Sequence, residues 1–185
     1  MFWITVFIVI LVDQTTKYII RTHFALHNFT IIPGWLAFNY TLNPGMAMGI
    51  DWLPTPAVSL VSIIAVTGIL IYTTRIASKA SRGMMICLGM IIGGALGNIV
   101  DRVIMGWING TGGILNGHVV DFIHFTLTID GHPVFPYIFN MADSSITIAV
   151  LIILIFNKSL MAWTKDSETP EGSPETAQSR HVGTD

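Results

Sequence analysis

Residues 84–102 read MMICLGMIIGGALGNIVDR. From Met84 to Gly97 nothing is charged, and the run then closes on Asn98, Asp101 and Arg102. A helix needs ~20 largely apolar residues to cross a bilayer core, so Met84 to about Ile104 is predicted to span a membrane and to carry its polar groups to one surface. Three other stretches qualify: Phe2 to about Ile20, interrupted by Asp13 and Lys17, Ala57 to Thr74, and Ile138 to Phe156. The composition agrees, with 52% hydrophobic and 11% charged residues and a mean hydropathy of +0.66. The predicted fold is a mostly α membrane protein of four transmembrane helices. The first is taken as a retained span, because it lacks a basic lead-in and a small-x-small cleavage site. A net charge of −2 gives no basis for nucleic-acid binding. The single Cys87 excludes an internal disulfide and any multi-cysteine metal site.

Arg75, Lys79 and Arg82 cluster after the second span without an acid, which marks that connection as cytoplasmic. Lys158 and Lys165 after the fourth span agree. Both termini are then cytoplasmic, and outer loops 21–56 and 105–137 face away. Residues 1–163 are expected to form one membrane domain. Residues 164–185, rich in Ser, Thr, Pro, Glu and Gly, are expected to form a disordered cytoplasmic tail. In the first outer loop, WLAFNYTLN alternates Leu36, Phe38, Tyr40 and Leu42 with Ala37, Asn39, Thr41 and Asn43. That is a strand with one apolar face, suited to lie on the membrane surface as part of a small β cradle. The turn NPGMAMG follows it, bent by Pro44 and Gly45. Gly89 and Gly93 mark a helix-packing face, and Gly94, Gly97, Asn98 and Asp101 fall on one interior stripe.

Every acid before residue 166 is Asp, and a carboxylate at a bilayer centre costs ~3 kcal/mol on insertion scales. Asp13 has Lys17 four residues on, Asp101 has Arg102 beside it, and Asp51 and Asp130 fall in outer loops. Asp121 in VVDFIHF and Asp143 in FNMADSS have no local cation, and both fall at the outer level. Two carboxyls sharing one proton can activate water for amide hydrolysis. The plainer alternative is one Asp capping the fourth helix and one satisfied by backbone donors. A zinc-dependent hydrolase using His118, Asp121 and His124, with His132 nearby, is the rival chemistry. A strand would point Asp121 away from both histidines. Ser144 and Ser145 lack a nucleophile elbow.

In order along the chain, DQTTK (13–17), NPGMAMG (43–49), GGALGNIVDR (93–102), VVDF (119–122) and FNMAD (139–143) resemble the bacterial lipoprotein signal peptidase family, the type II signal peptidases. The resemblance spans residues 2–157. It implies an aspartyl endopeptidase of the bacterial inner membrane that cleaves diacylglyceryl-modified prolipoproteins just before the lipidated cysteine. By position, it implies Asp121 and Asp143 as the catalytic pair. Asn43, Gly45, Asn98, Arg102 and Asn140 would bind substrate, and Asp13, Lys17 and Asp101 would serve as scaffold. It implies inhibition by the cyclic peptide globomycin, contact with membrane lipid, and no metal or other cofactor; a monomer is the simplest expectation, because the site needs only one chain. The chain departs from the family pattern in a longer stretch between Arg102 and Val119, a start almost at the first span, and an acidic tail after Trp163. A proton- or ion-coupled transporter also expects buried Asp, but no internal repeat supports it. A non-enzymatic scaffold would fit the glycine face alone.

Overall fold

The computed structural model describes residues 1–45, 53–108 and 113–162, with backbone alone at 108 and 157–162. Asp51, the side chains of Lys158 and Lys165, the tail 164–185 and parts of the two Gly-rich loops lie outside the described residues. The expected mostly helical architecture is present. Helices α1 (Phe2–Thr22), α2 (Thr55–Ile76), α3 (Arg82–Val100) and α5 (Met141–Ala162) form the bundle, with a short α4 at Gly106–Ile108. Among the described residues, three helices are long and apolar enough to cross a membrane: α1, α2, and α3 with its extension to Met105. The apolar part of α5, Met141–Phe156, is shorter. The span expected from Ile138 therefore starts at Met141. The physical reason is strand pairing, because Ile138 and Phe139 are taken up by the sheet.

Strands β1 (Asn28–Ile32), β2 (Leu36–Asn43), β3 (Val119–Phe125) and β6 (Ile138–Phe139) make one antiparallel sheet in that order. Between β3 and β6, β4 (Thr128–Ile129) and β5 (His132–Pro133) form a hairpin turning at Asp130 and Gly131, both at positive φ. Leu36, Phe38 and Tyr40 of β2 are half-buried. Phe38 and Tyr40 pack on the cluster of Ile20, Val120 and Phe122 that ties the sheet to α1. Leu42 departs from the pattern and is half exposed. A bulge between Phe38 and Thr41 offsets the register against β3.

Helix α3 is the hub, in contact with α1, α2 and α5. Ser81 caps it by accepting from the Met84 N–H at 3.1 Å. Its glycines allow the close approach expected of them. A Cβ on Gly93 would lie 2.8 Å from Val9 Cβ of α1, and one on Gly94 would lie 2.5 Å from the Ala142 carbonyl oxygen of α5. Beyond Val100 the helix widens into a π-turn, Asp101–Met105, a feature that often accompanies functional sites. The extra stretch before Val119 is pinched where it leaves and returns. The Gly117 N–H donates to the Arg102 carbonyl at 2.9 Å, and a Cβ on Gly106 would come within 2.6 Å of Gly117 N.

Candidate active site

The start of α5 is built by a reciprocal cap. The Asp143 N–H donates to Asn140 Oδ1 at 3.0 Å, and the Asn140 N–H donates to Asp143 Oδ2 at 3.2 Å. This is a capping box with an amide and a carboxylate in the two roles. Asp143 therefore does cap its helix, as the plainer alternative held, while one carboxylate oxygen remains for other partners. On β3, Asp121 is 2% exposed. Asn43 Nδ2 donates to its Oδ2 at 2.8 Å, and Asn140 Nδ2 donates to its Oδ1 at 2.6 Å. The two carboxylates are thus joined through one residue, Asn140, whose backbone serves Asp143 and whose side chain serves Asp121.

Asn98 completes the link. It donates Nδ2 to Asp143 Oδ1 at 2.9 Å and accepts from Asn140 Nδ2 at 3.1 Å. The Asn98 and Asn140 amides are therefore engaged with the carboxylates and with each other. Asn43 is held from the turn side, where the Gly45 N–H donates to its Oδ1 at 2.8 Å. Gly45 itself has φ +122, and a Cβ there would press on Val58, so the turn requires glycine.

Asp121 and Asp143 both line a cleft of about 1100 Å³, with Asn43, Asn98 and Arg102 on its wall. Its outer part is apolar and aromatic, including Trp35, Phe125 and Phe139. Arg102 is 8% exposed, and its Nε has no hydrogen-bond partner among the described residues. A buried guanidinium donor of this kind suits a ligand oxygen.

Burial, and then the neighbouring Asp143 charge, push the Asp121 carboxyl up from 3.8 to about 6, against the lowering effect of the Asn43 and Asn140 donors. A folded pKa above the unfolded one means that protonation favours the fold. The contribution is complete below 3.8 and lost as pH rises through about 6. The thermal midpoint of the wild type, measured relative to Asp121→Asn, is expected to fall across that window and to be flat above it.

Asp13, Lys17 and Asp101 form a buried ion triad behind the cleft. Lys17 Nζ lies 2.8 Å from Asp13 Oδ2 and 2.9 Å from Asp101 Oδ2. Asp13 Oδ1 also accepts the Ala142 N–H at 2.9 Å, which binds α1 to α5. The sequence reasoning passed over Gln14, whose amide reaches Asp13 at 3.2 Å, the Gly97 carbonyl at 3.1 Å and Asp101 at 2.9 Å. Its only signal was its place inside DQTTK.

The metal alternative is not supported by the donor geometry. VVDFIHF is a strand, which turns Asp121 and His124 to opposite sides. His124 Nδ1 pairs with Asn39 Oδ1 at 2.8 Å. Among the described residues, no three His, Cys, Asp or Glu side chains gather as a metal site.

The fold and the cleft define a membrane protein with a linked carboxylate pair at the junction of bundle and sheet. Residues 5–158 match the family described as Signal peptidase (SPase) II. The lipoprotein signal peptidase of Chlorobaculum tepidum is 30% identical over 167 residues, covering 86% of this chain and 95% of that protein. That of Anoxybacillus flavithermus is 33% identical over 186 residues, covering 98% and 95%. A bacterial membrane enzyme structure determined by the in meso method at 2.3 Å aligns with a TM-score of 0.63 at 31% identity, covering 93% of each chain. The chain belongs to the signal peptidase II family. It is accordingly a membrane peptidase, which displaces the transporter and scaffold alternatives.

Proposed function

We propose that this peptidase removes signal peptides from prolipoproteins by aspartyl catalysis, with Asp121 and Asp143 as the catalytic pair. It cuts the bond just before a cysteine that carries a diacylglyceryl group. The observation that carries the reading is the Asn140 bridge, which holds the buried Asp121 and the half-buried Asp143 in one cleft. We assign the single starting proton of the pair to Asp121, which burial makes more basic than an ordinary Asp.

Water entering between them gives a proton to Asp143 as its oxygen attacks the scissile carbonyl carbon. Asp121 passes its own proton to the carbonyl oxygen, and a gem-diol forms. Asp143 then protonates the amide nitrogen and the C–N bond breaks. One diol hydroxyl returns its proton to Asp121 as the new carboxyl group forms. The pair ends with the single proton it began with. Arg102 binds a substrate carbonyl through its free Nε, and Asn43 and Gly45 shape the turn beside it. Asn98 and Asn140 serve chiefly to hold the carboxylates in place.

The aromatic outer cleft suits an apolar, lipidated substrate that stays at the hydrocarbon boundary. We place both termini in the cytoplasm and the cleft at the outer surface of a bacterial inner membrane. The enzyme acts as a monomer in contact with membrane lipid, and globomycin inhibits it.

The test uses the purified protein with one prolipoprotein in lipidated and unlipidated forms, read by mass spectrometry. The lipidated form is expected to lose its signal peptide at the bond before the cysteine, and the unlipidated form to be cut at least about 100-fold more slowly. Equal cutting of both would remove the lipid from the proposal. Cleavage lost to chelators and in His118→Ala would return the case to a metal.

A further inference from the structure

The ion triad contains one bond that a scaffold does not need. Lys17 carries three N–H donors and no acceptor. Two are taken by Asp13 and Asp101, and the third goes to Asn98 Oδ1 at 2.9 Å. We propose that Lys17 is a positioning residue for the catalytic pair, acting through Asn98. The inference rests on the aspartyl reading above.

An ammonium can only donate, so it admits Asn98 with its oxygen inward. That turns Nδ2 toward Asp143 Oδ1, 2.9 Å away. The same oxygen accepts from Asn140 Nδ2 at 3.1 Å, and that nitrogen also donates to Asp121 at 2.6 Å. Donor direction is therefore fixed from Lys17 on α1, through Asn98 on α3, to Asp143 and Asn140 at the start of α5, and on to Asp121 on β3. A flipped Asn98 would set its NH₂ against the ammonium and the Asn140 NH₂, and its oxygen against a carboxylate.

Lys17 also acts by charge. The carboxyl groups near the pair, besides its own two, are Asp13 on α1 and Asp101 on the π-turn. The cations are Lys17 and Arg102. Lys17 itself lowers the proton affinity of Asp121. Without it, Arg102 is the remaining cation facing Asp143, Asp101 and Asp121, and the pair keeps its proton to higher pH.

Three variants in the full-length enzyme separate positioning from scaffolding, once wild type is shown to cleave and Asp121→Asn is shown not to. If that first step fails, the aspartyl reading fails and Lys17 is not at issue. Lys17→Met is expected to lower kcat roughly 100-fold, with KM changed by less than about threefold. The alkaline limb of its pH–rate profile should move up by about one pH unit. The double variant Asp13→Asn with Lys17→Met removes the ion pair without net charge and is expected to recover the thermal midpoint while kcat stays low. Lys17→Arg keeps a charged donor and should recover most of kcat and the wild-type limb. A scaffold alone requires kcat to follow stability. Wild-type kcat in the double variant, or an unmoved alkaline limb in Lys17→Met, would overturn the proposal.

Discussion

Asp121→Asn and Asp143→Asn are each expected to reduce cleavage by roughly 10³-fold or more, the scale of a lost general acid or base. The two fail for different steps. At Asp143 the amide can still accept the Asn140 N–H that closes the helix cap, but it cannot take a proton from water. Its NH₂ then faces the Asn98 donor. At Asp121 both oxygens accept amide donors, from Asn43 and Asn140. An amide there sets one NH₂ against another, an unsatisfied donor worth ~1–3 kcal/mol. Asp121 is buried and Asp143 half-buried, so the unmet donor costs more at Asp121, and Asp143→Asn should keep more of the wild-type thermal midpoint, although both are inactive. The check is a single-turnover cleavage assay beside thermal unfolding in the same detergent. Either variant cutting at more than about a tenth of the wild-type rate would break the assignment.

Gly94→Ala is the second large effect, and it reaches the site through packing. The added methyl carbon would sit 2.5 Å from the Ala142 carbonyl oxygen and 2.8 Å from Ile146 Cγ1. A side chain can swing away from such a contact, but main chain in a helix cannot, so α3 and α5 must part. Overpacking of this kind costs ~1–3 kcal/mol. Asn98 lies one turn beyond Gly94, and Asp143 directly follows Ala142, so the 2.9 Å bond between them lengthens with the gap. Activity should fall about 100-fold, since misplacement near 1 Å is costly. Gly68→Ala on α2 is the control, because nothing lies within 4 Å of a Cβ there. Equal behaviour of the two variants would show that the α3–α5 contact does not govern the site.

Much of this arrangement was legible in the sequence for physical reasons. Charge is expensive in lipid, so Asp121 and Asp143, lacking a local cation, stood out, and both line the cleft. Glycines at helical spacing marked α3 as a packing surface, and the structure seats α1 and α5 on it. VVDFIHF reads as a strand or short turn rather than a stable helix, and it is a strand. Long-range contacts were not legible. Lys17 looked paired with Asp13 by spacing alone, yet it also reaches Asp101 and Asn98, which lie far along the chain. The start of α5 was placed too early because Ile138 and Phe139 are as apolar as a span, and only their partners on β3 reveal a strand. The π-turn at Asp101–Met105 has no local signal in its residues.

The neck formed by Gly106 and Gly117 has a bearing on evolution. Among the described residues, the stretch beyond it is tied back by the Gly117 N–H on the Arg102 carbonyl and by Ser59 Oγ of α2 donating to the Leu115 carbonyl at 2.9 Å, and the hydrogen bonds described for the two carboxylates come from elsewhere. A change of length between those ties leaves the donors of Asp121 and Asp143 where they are. Lineages can therefore remodel this part of their outer face without renegotiating the chemistry beneath it, as long as the two glycines at its base are kept.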